Sequence, residues 1–328
     1  MLNLCFQDVV TVFSNRMAGS ECYRIPTILR LASGALLAFA EQRVDGCGDN
    51  GENNLVLRRS YDDGATWDAI STVALGLGRP LSNPNPVEVQ LGNGSVAVLL
   101  HYDTMNNPSA ASHGQNVQVW SYDEGATWVD ARNVTEAMPA GYAGCMPGPS
   151  VGVQRSDGSI YFSCHGFGLN GFLYWSRDLG ATWQASEVYE TLNECSIALL
   201  ANESVAMNCR TGGSYREQLT WSAGGEVLGR IQQPAGLIDP NCQGSLLAHG
   251  GALYLSNDNT TSGRSHITVK RSADDGSSWD EGLLVWAGPS GYSQLVGWGG
   301  RLGLLFELGT KSTYESIGFR SWAADVVV

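Results

Sequence analysis

Four aspartates recur in one eight-residue setting. Asp62 lies in SYDDGATW (Ser60 to Trp67), Asp123 in SYDEGATW (Ser121 to Trp128), Asp178 in SRDLGATW (Ser176 to Trp183) and Asp274 in SADDGSSW (Ser272 to Trp279). All read S-x-D-x-G-x-[ST]-W. Such acidic clusters suggest either a calcium loop or a tight turn. An EF-hand-type loop needs oxygen ligands at several alternating positions and a terminal Glu, so the turn is favoured: the Asp caps backbone N–H groups, Gly supplies a positive φ, and Trp anchors the turn. Other reactive signatures are weaker. GPSVG (Gly148 to Gly152) matches a nucleophile elbow formally but lacks the strand-to-helix setting. The five histidines (His101, His113, His165, His249 and His266) show neither HExxH nor a tight cluster, and no P-loop or dinucleotide fingerprint occurs. No metal and no cofactor is expected.

The spacing of these turns identifies the elements that carry them. The octets start 61, 55 and 96 residues apart. The last interval is nearly double, and WSAGGE (Trp221 to Glu226) sits inside it as a degenerate copy. A unit of about 50 residues suits one four-stranded propeller blade. Each octet follows a strand-like run: NLVLRRS, NVQVWS, FLYWS and HITVKRS. TILRLASGALLAFAEQR reads as a hairpin turning at its SG. No linker divides the chain. The expectation is an all-β, six-bladed β-propeller forming a single domain, 1–328. Its sixth blade joins IGFRSWAADVVV to QDVVTVF and closes the ring, which removes sheet edges and favours a monomer. The 41 glycines among 328 residues fit this turn-rich reading.

Composition narrows the function classes. With 19 basic and 32 acidic residues, the net charge of −13 and pI near 4.7 argue against nucleic acid as a partner. A small anionic substrate remains open where a few arginines converge. No run of 18 apolar residues predicts a membrane span. MLNLCFQDVV shows no signal-peptide pattern. Eight cysteines without CxxC pairs fit either disulfides or buried thiols, and with sequons at Asn93, Asn133, Asn202 and Asn259 they favour a secreted or extracellular setting.

The repeats resemble the Asp boxes of the exo-α-sialidase (neuraminidase) superfamily. Asp boxes also occur in propellers of other function, so the weight falls on other motifs. YRIPTILR resembles the family's RIP motif, which implies that Arg24 binds the substrate carboxylate. FAEQRVDGCGDNGENNLVLRRS resembles the segment between RIP and the first Asp box, implying Arg43 as a pocket arginine and Asp49 as the acid/base, with Asp45 as a rival. NECSIALLANESVAMNCR implies Glu194 as the base and Arg210 as the second triad arginine; GLIDPNCQGSLL is also similar to a family segment. SGRSHITVKRSADDGSSW implies Arg264 as the third triad arginine, PSGYSQLV implies Tyr292 as the nucleophile, and LLFELG implies Glu307 as the residue orienting Arg24. The family's pocket aspartate has no clear match, with Glu88 and Asp103 as candidates. Cys195 and Cys209, on strands flanking the arginines, leave room for a local disulfide.

What the resemblance implies is a retaining hydrolase of terminal sialic acids on glycans, glycoproteins or glycolipids. The C5 substituent (N-acetyl, N-glycolyl or the deaminated Kdn) stays open. So do two other readings: transfer of the sugar, within the molecule or to another sugar, and binding without catalysis. The chemistry is coherent. Three guanidinium groups can hold a carboxylate by charge-assisted hydrogen bonds. A neutral tyrosine avoids the repulsion that a carboxylate nucleophile would meet, and sialidases are an exception of this kind among glycosidases, most of which use two carboxylates. The phenol then needs a neighbouring base.

Overall fold

The second strands of the blades are buried on both faces, as the inner layers of a radial stack must be, while outermost strands such as Val129–Asn133 are exposed. Leu36–Arg43 and Ile160–His165 are buried almost throughout. The computed structural model describes residues 8–107, 112–139, 144–166 and 168–327. Its strands form antiparallel four-stranded meanders arranged as six blades among the described residues. Blade 1 comprises Cys22–Arg30, Leu36–Arg43, Asn53–Ser60 and Ser71–Ala74. Blade 2 comprises Leu81–Gln90, Val96–Asn107, Ser112–Ser121 and Val129–Asn133. In blade 3 the inner strand is broken into Met146–Pro147 and Val153–Gln154, followed by Ile160–His165, Gly171–Ser176 and Gln184–Ala185. Blade 4 is Cys195–Leu199, Val205–Arg210, Arg216–Trp221 and Val227–Gln232.

Blades 5 and 6 share one strand. Leu283–Trp298 pairs with Ser265–Ser272 through its first part, closing a blade begun by Ser245–His249 and Ala252–Asp258. From Ser290 onward it pairs with Arg301–Leu308 and becomes the inner strand of blade 6. Blade 6 continues with Ser316–Ala323 and ends with the N-terminal strand Val10–Ser14, paired Val10 to Phe319 and Ser14 to Ser316. The ring is thus closed by strands from opposite ends of the chain.

The core lies between blades rather than at the centre. Six apolar clusters each span one blade boundary; one joins Val12, Phe13, Ile317 and Phe319 of blade 6 to Ile28, Leu36 and Val56 of blade 1. The octets rivet these boundaries. In the first, Asp62 accepts from Ser60 Oγ (2.8 Å), Thr66 N (2.9 Å) and Thr66 Oγ1 (2.6 Å). Gly64 has φ +86°, and a Cβ there would lie 2.1 Å from the Phe319 ring. Glycine is needed here for both conformation and close approach. The degenerate copy keeps this device: Gly225, φ +81°, packs on Trp175 of blade 3.

Meander topology then separates turn from chemistry. Starts of first and third strands and ends of second strands share one rim. The octets follow third strands, so they occupy the opposite rim. Disulfides join Cys22 to Cys47, Cys145 to Cys164 and Cys195 to Cys209. Cys242 is a buried thiol, and Cys5 lies outside the described residues.

Candidate active site

On the rim opposite the octets, a cavity of about 540 Å³ opens where the inner strands meet. Arg24 is the third residue of the first strand of blade 1, and Arg43 ends its second. Glu194 precedes the first strand of blade 4, and Arg210 ends its second. Arg264 precedes the third strand of blade 5, and Tyr292 lies near the start of the inner strand of blade 6. All six line the cavity together with Asp49, from the loop after Arg43. Glu307 does not line it. It is fully buried behind Arg24.

Glu307 organises two residues at once. Its Oε1 accepts from Arg24 Nε (2.9 Å) and Ile25 N (3.1 Å). Its Oε2 accepts from Arg24 Nη2 (3.2 Å) and Tyr292 N (3.0 Å). One carboxylate therefore fixes the first arginine and the backbone of the tyrosine. Burial disfavours the Arg24 charge, but Glu307 and the tyrosines outweigh it and hold the guanidinium well above its ordinary value.

Tyr292 Oη donates to Glu194 Oε1, and Glu194 Oε2 accepts from Arg210 Nη1 at 2.8 Å. Burial raises the Glu194 pKa, but Arg210, His165 and the phenol bond outweigh it and hold the carboxyl below its ordinary range. Burial and the Glu194 charge push the Tyr292 phenol well above 10, against Arg24 and Arg210. The resting pair is a neutral phenol donating to a carboxylate. That is the arrangement in which a base can take the proton as the oxygen attacks.

Asp49 lines the same cavity as this pair. Arg43 Nη1 donates to it at 2.7 Å, and Arg24 Nη1 lies 3.6 Å away. Its side chain is 68% exposed. Partial desolvation pushes its carboxyl up, but Arg43, Arg24 and Arg264 outweigh this and hold it below the ordinary carboxylate range. The unliganded site thus keeps Asp49 ionised. An arriving anion that neutralises the arginines would let it take a proton. Asp45 is exposed and lies off the cavity wall.

Several residues in or beside the cavity are assigned no role from the sequence. Tyr314 stacks over Arg24 (4.0 Å from Cζ to ring centre) and accepts from Arg264 Nη1 at 3.1 Å. It sits in the polar loop KSTYES, which has no periodicity to mark it. Glu41 takes Arg43 Nε (2.9 Å) and Nη2 (2.7 Å) on one oxygen and Asn83 N (2.9 Å) on the other. Asn241 Oδ1 accepts from Arg210 Nε at 2.6 Å. Its turn is braced by a fully buried Arg216–Asp239 pair at 2.6 Å. Gln243 brackets Ser293, beside Tyr292, with bonds of 3.1 and 2.9 Å. These contacts are what the segment GLIDPNCQGSLL contributes. Neither candidate for the pocket aspartate lines the cavity. Glu88 Oε1 instead accepts from Ala32 N (2.8 Å) near the octet rim, because its strand position points it away from the site. Asp103 is buried in blade 2, opposite Ser82.

Comparisons with known proteins bear on the family and the fold. The family model described as "BNR repeat-like domain" matches residues 34–305. The chain is 26% identical to a sialidase of Micromonospora viridifaciens over 95% of its own length and 54% of that protein's. It is 28% identical to a sialidase of Bacteroides fragilis, covering 84% of the chain and 58% of that protein. Among solved structures, the Hadza microbial sialidase Hz136 superposes with a TM-score of 0.84 at 25% identity, over 95% of this chain and 67% of the other. The chain thus spans little more than half the length of these two sequence relatives. The fold, the cavity and these matches together make the chain a member of the BNR repeat-like domain family, within the exo-α-sialidase superfamily.

Proposed function

We propose that the chain is the catalytic domain of a retaining exo-α-sialidase that removes terminal sialic acids from glycoconjugates. One observation carries the reading. A neutral phenol on a carboxylate (Tyr292 and Glu194), three arginines (Arg24, Arg210 and Arg264) and a further carboxyl (Asp49) line a single cavity. The arginines hold the sugar carboxylate, which brings the anomeric carbon over the Tyr292 oxygen. Asp49 gives its proton to the glycosidic oxygen as the bond from that oxygen to the anomeric carbon breaks. The Tyr292 oxygen forms the new bond to that carbon while Glu194 takes the phenol proton. In the second step Asp49, now ionised, takes a proton from water. The hydroxide oxygen bonds to the anomeric carbon, and the tyrosine leaves with the proton returned by Glu194. Two inversions give retention. The chain-wide domain 1–328 belongs to the same proposal.

The test pairs a substrate with a trap. An aryl sialoside should release its phenol, and Tyr292→Phe should cut kcat/KM by at least about a hundredfold while the fold persists. A 3-fluoro-sialosyl fluoride should leave one covalent adduct on the peptide containing Tyr292, read by mass spectrometry. Labelling on another side chain, or full turnover by the variant, refutes the mechanism. NMR of the product separates hydrolysis from transfer.

A further inference from the structure

The loop that carries Asp49 closes on itself at its base, where Val44 N donates to Glu52 O at 2.9 Å. None of residues 45–51 is buried, so packing does not hold it, and only one long bond, from Asn53 Nδ2 to Asp49 O at 3.3 Å, braces the Asp49 backbone from the loop base. Arg43 reaches into it, donating to Cys47 O (2.6 Å) and Asp49 Oδ1 (2.7 Å). But Arg43 also lines the cavity, where a bound ligand competes for its donors. A covalent tie is independent of that competition. Cys47, at the loop tip, is bonded to Cys22, which is buried two residues before Arg24. The same strand therefore presents Arg24 and anchors the loop that presents Asp49.

We propose that the Cys22–Cys47 disulfide is a positioning device for proton transfer, setting the Asp49 carboxyl at a fixed place relative to Arg24. This rests on Asp49 being the proton donor. Without the tie the loop samples many positions, and Asp49 meets the leaving oxygen less often. Binding of the sugar carboxylate depends on side chains held elsewhere and is preserved.

Leaving-group dependence tests this. A nitrophenyl sialoside departs with little acid assistance, whereas sialyl-lactose needs it. In the Cys22→Ala/Cys47→Ala variant, kcat/KM for sialyl-lactose should fall by about a hundredfold, within the usual range for general acid catalysis, and for the nitrophenyl substrate by under about threefold. Asp49→Ala should show the same contrast. Equal losses on both substrates in the disulfide variant, with the contrast intact in Asp49→Ala, overturn the proposal. No contrast in Asp49→Ala overturns the reading beneath it. Should the double variant fail to fold, the native enzyme supplies the same test. Cys47 is half-buried while the four cysteines of the other bridges are buried, so dithiothreitol reduces Cys22–Cys47 first. The bridge becomes two thiols as the reagent closes to its cyclic disulfide, and alkylation of an aliquot confirms the site. Reduced enzyme should lose activity on sialyl-lactose selectively and regain it on reoxidation. Full activity on sialyl-lactose in the reduced state overturns the proposal.

Discussion

Replacing Arg24 and Glu307 singly and together measures how much of this site is held by one buried carboxylate. Their side chains are 7% and 0% exposed, and two hydrogen bonds join them. Glu307→Gln removes the charge and puts an NH2 where a carboxylate oxygen accepted two bonds. Whichever way the amide turns, it faces either Arg24 Nε and Ile25 N or Arg24 Nη2 and Tyr292 N. Breaking a buried pair from one side costs about 3–5 kcal/mol. Arg24→Met should cost about 3 kcal/mol, somewhat less because Ile25 N and Tyr292 N still solvate the carboxylate. In Arg24→Met/Glu307→Gln no charge is stranded. One backbone N–H lacks its acceptor, at about 1–3 kcal/mol. The double variant should therefore be about 3 kcal/mol or more better than additivity. Urea unfolding at pH 7 reads this directly. Activity should not follow stability: kcat/KM on an anionic sialoside should fall about 10- to 100-fold in Arg24→Met, for the loss of a charged hydrogen bond of about 1.5–3 kcal/mol, and stay low in the double variant. Additivity within about 0.5 kcal/mol, or unchanged kcat/KM in Arg24→Met, would refute the reasoning.

Two further outcomes follow from neighbours of the cavity. Asp258 is fully buried, accepts from Ser290 Oγ, and has its carboxyl pushed up to about 7, chiefly by burial and against the Ser290 bond and Arg264. Because the folded form holds the proton more tightly than the unfolded chain, this group's contribution is complete below pH about 4. It is lost as pH rises towards about 7, by roughly 4 kcal/mol in all. Asp258→Asn should therefore raise Tm relative to the parent at pH 8 but not at pH 4, and an equal difference at both would count against it. Tyr314→Leu removes the ring over Arg24 and the acceptor for Arg264. Together these are worth about 1–2 kcal/mol, so KM should rise about tenfold with kcat little changed. A fall confined to kcat would show that Tyr314 acts on the chemical step instead.

How much of this molecule is legible in its residue order depends on how local the signal is. The octet turns need only eight consecutive residues to declare themselves, because Asp, Gly and Trp act on their own backbone and nearest neighbours. Their spacing carries the blade count, and the missing fifth copy is traceable through Ser222, Gly225 and Glu226. Strand identity follows from apolar runs such as Ile160 to Cys164. Arg24, Arg43, Asp49, Glu194, Arg210, Arg264, Tyr292 and Glu307 stand out only through resemblance to a family. An arginine at a strand end has no intrinsic mark of function.

Tyr314 and Asp258 are invisible for a related reason, and Glu41 and Asn241, although they lie in stretches that resemble family segments, carry no mark of their own. Each acts on a residue from another segment, and no pattern within a short stretch encodes that pairing. Glu88 shows the converse, since a suitable side chain in a suitable stretch points at the wrong rim. Residue order alone determined the repeating unit, the turn chemistry and the sheet class, all of which arise within a few residues or from simple periodicity. Tertiary structure alone decided which charges meet, because the closing of the ring brings strand ends hundreds of residues apart within hydrogen-bond reach. At that range burial and partner geometry, rather than residue type, set whether a carboxyl is a brace, a base or a bystander.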